Sequence, residues 1–140
     1  MPRLGSSRRP CVRAAVFEYV IVRVVPRIER DEFVNVGVVV YAPTRAFLDC
    51  RVELDRARLH ALDPVADAEA IDCHLQAFAT VCRGGPGGGP IAAMPLRERY
   101  HWLVAPRSAT LQTSPVHGGR AEDLAAALDR LFESLVRRPV

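Results

Sequence analysis

Residues 106–117 hold a dense and varied group of polar side chains, and their chemistry is suited to an anion. The candidate ligand-binding residues in this segment are Arg107, Ser108, Gln112, Ser114 and His117. A guanidinium beside hydroxyl and amide groups can hold a phosphate or carboxylate through charge-assisted hydrogen bonds, and an imidazole can exchange a proton near neutral pH. The same hydroxyl groups could instead satisfy backbone groups of a loop. No GxSxG motif marks a hydrolase nucleophile here.

A second candidate site lies within the strongly strand-forming residues 32–41, which contain Asn35 and Gly37. Glycine in a strand lets a ligand or another backbone approach closely, and the Asn35 amide could hydrogen-bond that ligand. Alternatively, Gly37 marks a β-bulge and Asn35 ties down a neighbouring loop. The sequence leaves both interpretations open.

The composition is that of one globular domain without a membrane span. The chain has 140 residues, of which 49% are hydrophobic and 25% are charged, enough to enclose a single core. The longest apolar run, residues 36–42, is far shorter than a transmembrane helix. All 19 cationic side chains are arginines, which excludes a lysine Schiff base and a P-loop lysine.

Neither the cysteines nor the histidines have the spacing of a metal site. The four cysteines, Cys11, Cys50, Cys73 and Cys82, include no CxxC pair, and no histidine lies at a zinc-ligand spacing from them. We therefore predict no metal and no cofactor. We also expect reduced and mostly buried thiols in a cytoplasmic protein.

The net charge of +3 arises from the N-terminal leader. Residues 1–13 carry four arginines and no acid, which leaves fifteen arginines against sixteen acidic residues in residues 14–140, a net charge of −1. We expect residues 1–14 to be a disordered basic leader and residues 15–138 to form a single domain. Nucleic acid is not expected as a partner, except through residues 1–14.

Three early strands and one late strand are predicted. The early strands are β-branched and aromatic segments joined by short connections: residues 16–25, 32–42 and 47–54. Such connections favour an antiparallel meander. Residues 110–113 are predicted to form a short strand at the sheet edge, because prolines lie close by.

Two amphipathic helices are predicted to cover one face of this sheet. They span about residues 64–82 and 121–137, each with an apolar stripe at helical spacing. Residues 95–104 could form either a helix or a strand. The second strand is predicted to turn its alternate valines toward the helices: Val34, Val36, Val38 and Val40. The predicted fold class is α+β, an antiparallel sheet of three to four strands with one covered and one partly wet face.

Four segments of this chain resemble one known family. They are residues 17–26 (FEYVIVRVVP), 32–41 (EFVNVGVVVY), 100–108 (YHWLVAPRS) and 112–118 (QTSPVHG). The family is a bacterial one catalogued as domain of unknown function 3037, and the resemblance covers about residues 16–136. It implies a small cytoplasmic protein and, through neighbouring genes, a HipA-like kinase as a partner. It implies no catalytic residues.

The leading functional hypothesis is a non-catalytic interaction or regulatory protein, with the HipA-like kinase as its partner. The alternative is a small enzyme or anion-binding module for a phosphorylated or carboxylated ligand, with Arg107 as the anchor and His117 as the acid–base group. This alternative predicts that Asn35, Arg107 and His117 converge on one cleft. The sequence assigns no catalytic residue and leaves homodimer formation open.

Overall fold

The computed structural model describes residues 13–106 and 109–137. Two of the candidate site residues, Arg107 and Ser108, therefore lie outside the described residues, and so do Cys11 and nearly all of the predicted leader. The rest of the predicted domain, up to residue 137, is described.

In the described part of the chain, the sheet has five antiparallel strands, rather than the predicted three to four. β1 (Ala15–Val24), β2 (Val34–Ala42) and β3 (Phe47–Val52) form the predicted meander. β4 (Leu111–Thr113) and β5 (His117–Ala121) both pair with β1, along the edge that does not pair with β2. β4 pairs with the end of β1 and β5 with its start. β4 is the predicted edge strand. β5 was not predicted because its sequence, HGGRA, has no strand pattern of its own.

Five α-helices within the described residues accompany the sheet: α1 (Arg56–Leu62), α2 (Ala68–Arg83), α3 (Gly89–Ala92), α4 (Leu96–Val104) and α5 (Leu124–Phe132). A π-helix continues α5, and three short 3-10 turns complete the described elements: Glu133–Arg137, Ile28–Arg30, Pro43–Arg45 and Pro86–Gly88. The ambiguous residues 95–104 are mostly helical. An aspartate caps the N-terminus of each of three helices by accepting a backbone N–H bond: Asp55, Asp67 and Asp123.

The sheet is covered on both faces, which corrects the expectation of a single covered face. α2 and α4 pack on one side, called the α2 face, and α5 packs on the other side, called the α5 face. An apolar stripe indicates that one side of a helix is buried, but it does not indicate which face of a sheet the helix covers. The two helices therefore could not be assigned to opposite faces from their sequences.

A β-bulge interrupts the pairing of β1 with β2. Val22 pairs with Gly37, but the next residue, Arg23, pairs with Asn35. Val36 is thus an extra residue without a partner on β1, although its carbonyl accepts a 2.7 Å bond from the Glu53 N–H. A bulge of this kind shifts the alternation of side chains along the strand.

The shifted alternation corrects the predicted orientation of the β2 valines. Val34 and Val36 belong to the core on the α2 face, as predicted, whereas Val38 and Val40 belong to the core on the α5 face. All four valines are buried because both faces are covered. None of the helices in the described part of the chain is long and apolar enough to cross a membrane.

Candidate functional site

An open apolar cavity of about 490 Å³ lies between α2, the end of α4 and the start of β4. Its lining consists of Ile28, His74, Ala77, Phe78, Val81, Trp102, Ala109, Thr110 and Leu111. We call this cavity, with its extension described below, the α2 groove. Phe78 and Val81 are buried, whereas Ile28 and Trp102 remain 49% and 37% exposed. The groove therefore leaves two large apolar side chains in contact with solvent.

Helical spacing and one backbone bond position the walls of the groove. His74, Ala77, Phe78 and Val81 follow each other at intervals of three, one and three residues, which places them on one face of α2. The opposite wall is β4, which a 2.7 Å bond from the Val25 N–H to the Thr110 carbonyl attaches to the end of β1.

The groove continues into a smaller cavity of about 250 Å³ that shares His74 and Thr110 with the larger one. Two carboxylates line this extension, Asp63 and Asp67. Asp63 is buried, and its Oδ2 lies 4.0 Å from Nε of Arg27. Asp67 is exposed, and it forms no ion pair with any of the described residues. This end of the groove therefore offers an unneutralised carboxylate.

Asn35 and Gly37 have the structural roles that were one of the two predicted alternatives, a tie to a neighbouring segment and a β-bulge. Gly37 belongs to the bulge. A Cβ atom on Gly37 would lie only 2.8 Å from Cγ1 of Val52 and 2.9 Å from the Arg51 carbonyl oxygen. Asn35 ties down the C-terminal segment, because its Nδ2 donates a 3.1 Å hydrogen bond to the Leu135 carbonyl.

Gln112 and Ser114 lie along β1 and bond to nearby backbone. The Gln112 amide donates a 2.8 Å bond to the Ala109 carbonyl. Ser114 is buried; its Oγ accepts a 2.9 Å bond from the Ile21 N–H and donates to the Pro115 carbonyl. The hydroxyl of Ser114 thus replaces a ladder partner where the chain passes from β4 to β5.

His117 is remote from Asn35. It is exposed, pairs with Tyr19 and stacks on the Tyr19 ring with centroids 5.2 Å apart. Asn35 pairs with Arg23 on the opposite side of β1. Asn35 and His117 are therefore separated by four residues along the strand direction and by two strand spacings across the sheet. Together these correspond to about 16 Å. The cleft predicted for Asn35, Arg107 and His117 therefore does not bring Asn35 and His117 together.

Neither the α2 groove nor Arg23 was predicted from the sequence. The groove could not be found because its walls come from segments that are distant in the sequence. Arg23 did have a signal, since it is a charged residue inside the apolar run VIVRVV of β1. The run predicts a strand, and its one cation was not among the predicted site residues.

A tyrosine–carboxylate pair joins α4 to the sheet. Tyr100 is buried, its hydroxyl donates a 2.7 Å bond to Oε1 of Glu18, and its ring stacks on Tyr41 at 4.1 Å. Burial, and then the hydrogen bond and negative charge of Glu18, raise the pKa of Tyr100 above its ordinary value.

The raised pKa of Tyr100 predicts a loss of stability at alkaline pH. Tyr100 keeps its proton in the folded state when it has lost it in the unfolded state, so its contribution is complete below about pH 10 and falls above that value. The expected loss is about 1.4 kcal/mol by pH 11. Urea unfolding at several pH values would measure it. Tyr100→Phe should show a smaller alkaline loss than the wild type, and an identical loss in both proteins would contradict the assignment.

No set of three or more His, Cys, Asp or Glu side chains in residues 13–106 and 109–137 could hold a metal ion. Cys50 and Cys82 are buried free thiols, as expected, whereas Cys73 is exposed. Cys73 and Cys82 are nine residues apart on α2, so they point in different directions.

A protein-family model described as "Protein of unknown function (DUF3037)" matches residues 19–136. The chain belongs to the DUF3037 family. The match extends from β1 into the π-helix, so it includes the α2 groove, the bulge and Arg23. The resemblance found in the sequence is thereby confirmed. Searches of the curated proteins and of the solved structures found no match to this DUF3037 protein.

Proposed function

We propose that this DUF3037 protein is a non-catalytic interaction domain whose α2 groove receives an apolar side chain of a protein partner. The observation that supports it most is the position of Ile28 and Trp102, two exposed apolar side chains on one cavity with a buried apolar floor. Contiguous exposed apolar surface on a small protein is typical of a recognition site. A volume of about 490 Å³ is also within the usual range for binding pockets.

The polar groups of the groove support binding more than catalysis. The larger cavity offers one imidazole, His74, and one side-chain hydroxyl, Thr110. The carboxylates of the extension already serve the local structure: Asp63 accepts from the Val65 N–H, and Asp67 accepts from the Ala70 N–H. The alternative of an enzyme or anion-binding module built on Arg107 and His117 has less support, because His117 is exposed and stacked on Tyr19.

The charge at the end of the groove favours a particular kind of segment. Arg27 lies beside Asp63, which leaves Asp67 as the unneutralised acid of the extension. A partner segment with a bulky apolar side chain followed by a basic residue would complement both parts of the groove. We propose such a segment in a cytoplasmic protein, and a HipA-like kinase is the first partner to test.

Ile28→Glu is expected to abolish retention of the partner, because it places a carboxylate at the mouth of the apolar cavity. The measurement is co-purification of the tagged full chain with a co-expressed HipA-like kinase. Val116→Glu is a matched control, since Val116 is also 49% exposed but does not line the groove. Trp102→Ala should weaken retention as well.

Equal retention by wild type and Ile28→Glu would contradict the proposal, and so would an equal loss in Ile28→Glu and Val116→Glu. Thermal unfolding of each variant would establish that the groove variants are folded. A wild-type chain that retains no kinase and shows no affinity for apolar–basic peptides would also contradict the proposal.

A further inference from the structure

Arg23 lies in the middle of the sheet and has no acidic partner among residues 13–106 and 109–137. Its strand, β1, is paired on both sides, and its neighbours in register are Asn35 on β2 and Gln112 on β4. Val22 and Val24 are buried on the α2 face, so the side chain of Arg23 is on the α5 face. It forms no ion pair with any residue in the described part of the chain.

The bulge is what places Asn35 beside Arg23. In a regular ladder without the bulge, the pairing of Val22 with Gly37 would continue with Arg23 opposite Val36. Asn35 would then be opposite Val24, whose side chain is on the α2 face. Bulges commonly reorient a side chain at a functional site. Here the bulge moves an amide out of an apolar core and next to an unpaired guanidinium.

The Phe33 ring packs against the Arg23 guanidinium but accepts none of its N–H hydrogen bonds. Its carbon atom lies 4.1 Å from the centroid of the Phe33 ring, and Phe33 is half-exposed. The Arg23 Nε atom is buried and has no hydrogen-bond acceptor among the residues that the structure describes. The Asn35 Oδ1 atom is likewise buried, and no described residue donates a hydrogen bond to it. Leaving a buried polar group unpaired is costly, so both atoms require an explanation.

We propose that Arg23, Asn35 and Gln112 form an oxyanion-binding site on the α5 face, which takes a phosphate or carboxylate group. A guanidinium stacked on an aromatic ring presents a planar fork of donors, and a phosphate or carboxylate accepts from such a fork with two oxygens. The amides of Gln112 and Asn35 flank the fork in register. The site is on the opposite face from the α2 groove, so it does not depend on the proposed interaction function.

The fit to an oxyanion follows from the number of donors and acceptors. Arginine has five N–H donors and no acceptor. Arg23 forms no ion pair with a described residue, and its buried Nε has no acceptor among them, so a bound anion could supply acceptors. An ion that carries an O–H group, such as hydrogen phosphate, could in addition donate to Oδ1 of Asn35. Acetate lacks this donor. A comparison of phosphate with acetate therefore distinguishes a phosphate ligand from a carboxylate ligand.

The experiment is a titration of the ¹⁵N-labelled full chain with inorganic phosphate, and separately with acetate, in a low-salt buffer. We expect the Nε–H signal of Arg23 and the side-chain amide signals of Asn35 and Gln112 to shift together. Arg23→Gln should weaken phosphate binding roughly tenfold or more, because charged hydrogen bonds are lost. Tighter binding of phosphate identifies a phosphate site, and equal binding of acetate identifies a carboxylate site.

Arg120→Gln is the matched control. Arg120 is also in the sheet, on β5, and it forms no ion pair with the described residues, but it is exposed and paired with Val16. Its replacement should change phosphate affinity less than about twofold, since an exposed charge is screened. An Arg23 Nε–H signal that does not respond to either anion in the wild type would overturn the proposal. Equal effects of the two substitutions would also overturn it.

Discussion

Phe132→Ala is expected to lower the free energy of unfolding by about 3–5 kcal/mol, the usual cost of removing a large buried ring. Phe132 is 1% exposed and belongs to the core on the α5 face. The guanidinium carbons of Arg51 and Arg137 lie 4.3 Å and 5.3 Å from the centroid of its ring. Alanine would therefore remove a buried ring and two cation–π contacts at the end of α5. Urea unfolding monitored by circular dichroism would measure the loss.

Phe33→Ala is the matched control for this loss. It makes the same chemical change at a ring that is 43% exposed and contacts Arg23 from outside the core. The expected cost is about 1 kcal/mol or less, as for other exposed side chains with one cation–π contact. If Phe132→Ala cost no more than Phe33→Ala, α5 would not be packed against the sheet, and the core on the α5 face would not exist.

Gly37→Ala is expected to cost about 1–3 kcal/mol by overpacking. The added Cβ atom would lie 2.8 Å from Cγ1 of Val52 and 2.9 Å from the Arg51 carbonyl oxygen. The contact with Arg51 is to backbone, so β3 as a whole would have to move away from β2. The same variant should reduce phosphate binding at Arg23, because the bulge places Asn35.

Gly118→Ala tests whether this cost is specific to the close approach. Gly118 is also in a strand, but a Cβ atom there would be 4.0 Å from its nearest neighbour, the Phe17 carbonyl oxygen. We expect a change within about 0.5 kcal/mol, because no atom has to move. Similar losses in the two variants, again from urea unfolding, would show that the approach of β3 to Gly37 is not tight.

Much of the local structure could be predicted from the sequence. The first three strands, the late edge strand and the two main helices follow from periodicities of two and 3.6 residues. The bulge was one of two open interpretations of Gly37, because glycine inside a strand indicates either a bulge or a close approach. The strand β5 could not be predicted. Its glycines have little strand propensity, and pairing with β1 stabilises it.

The candidate sites were harder to predict than the elements. Asn35 was singled out for the correct chemical reason, since a polar side chain in an apolar strand needs a partner. Its neighbour Arg23 has the same property but was not considered. The two residues are twelve positions apart, and only the register of β1 with β2 makes them adjacent.

The antiparallel α+β class could be read from the amino-acid sequence alone, because side-chain periodicity and short connections are properties of neighbours along the chain. The tertiary structure alone decided that α2 and α5 lie on opposite faces, that the bulge places Asn35 beside Arg23, and that Ile28 and Trp102 line one groove. The physical reason is that the hydrophobic effect requires each apolar stripe to be buried, but it does not specify which other element buries it. Face, register and the meeting of distant segments are settled only when all the stripes are packed together.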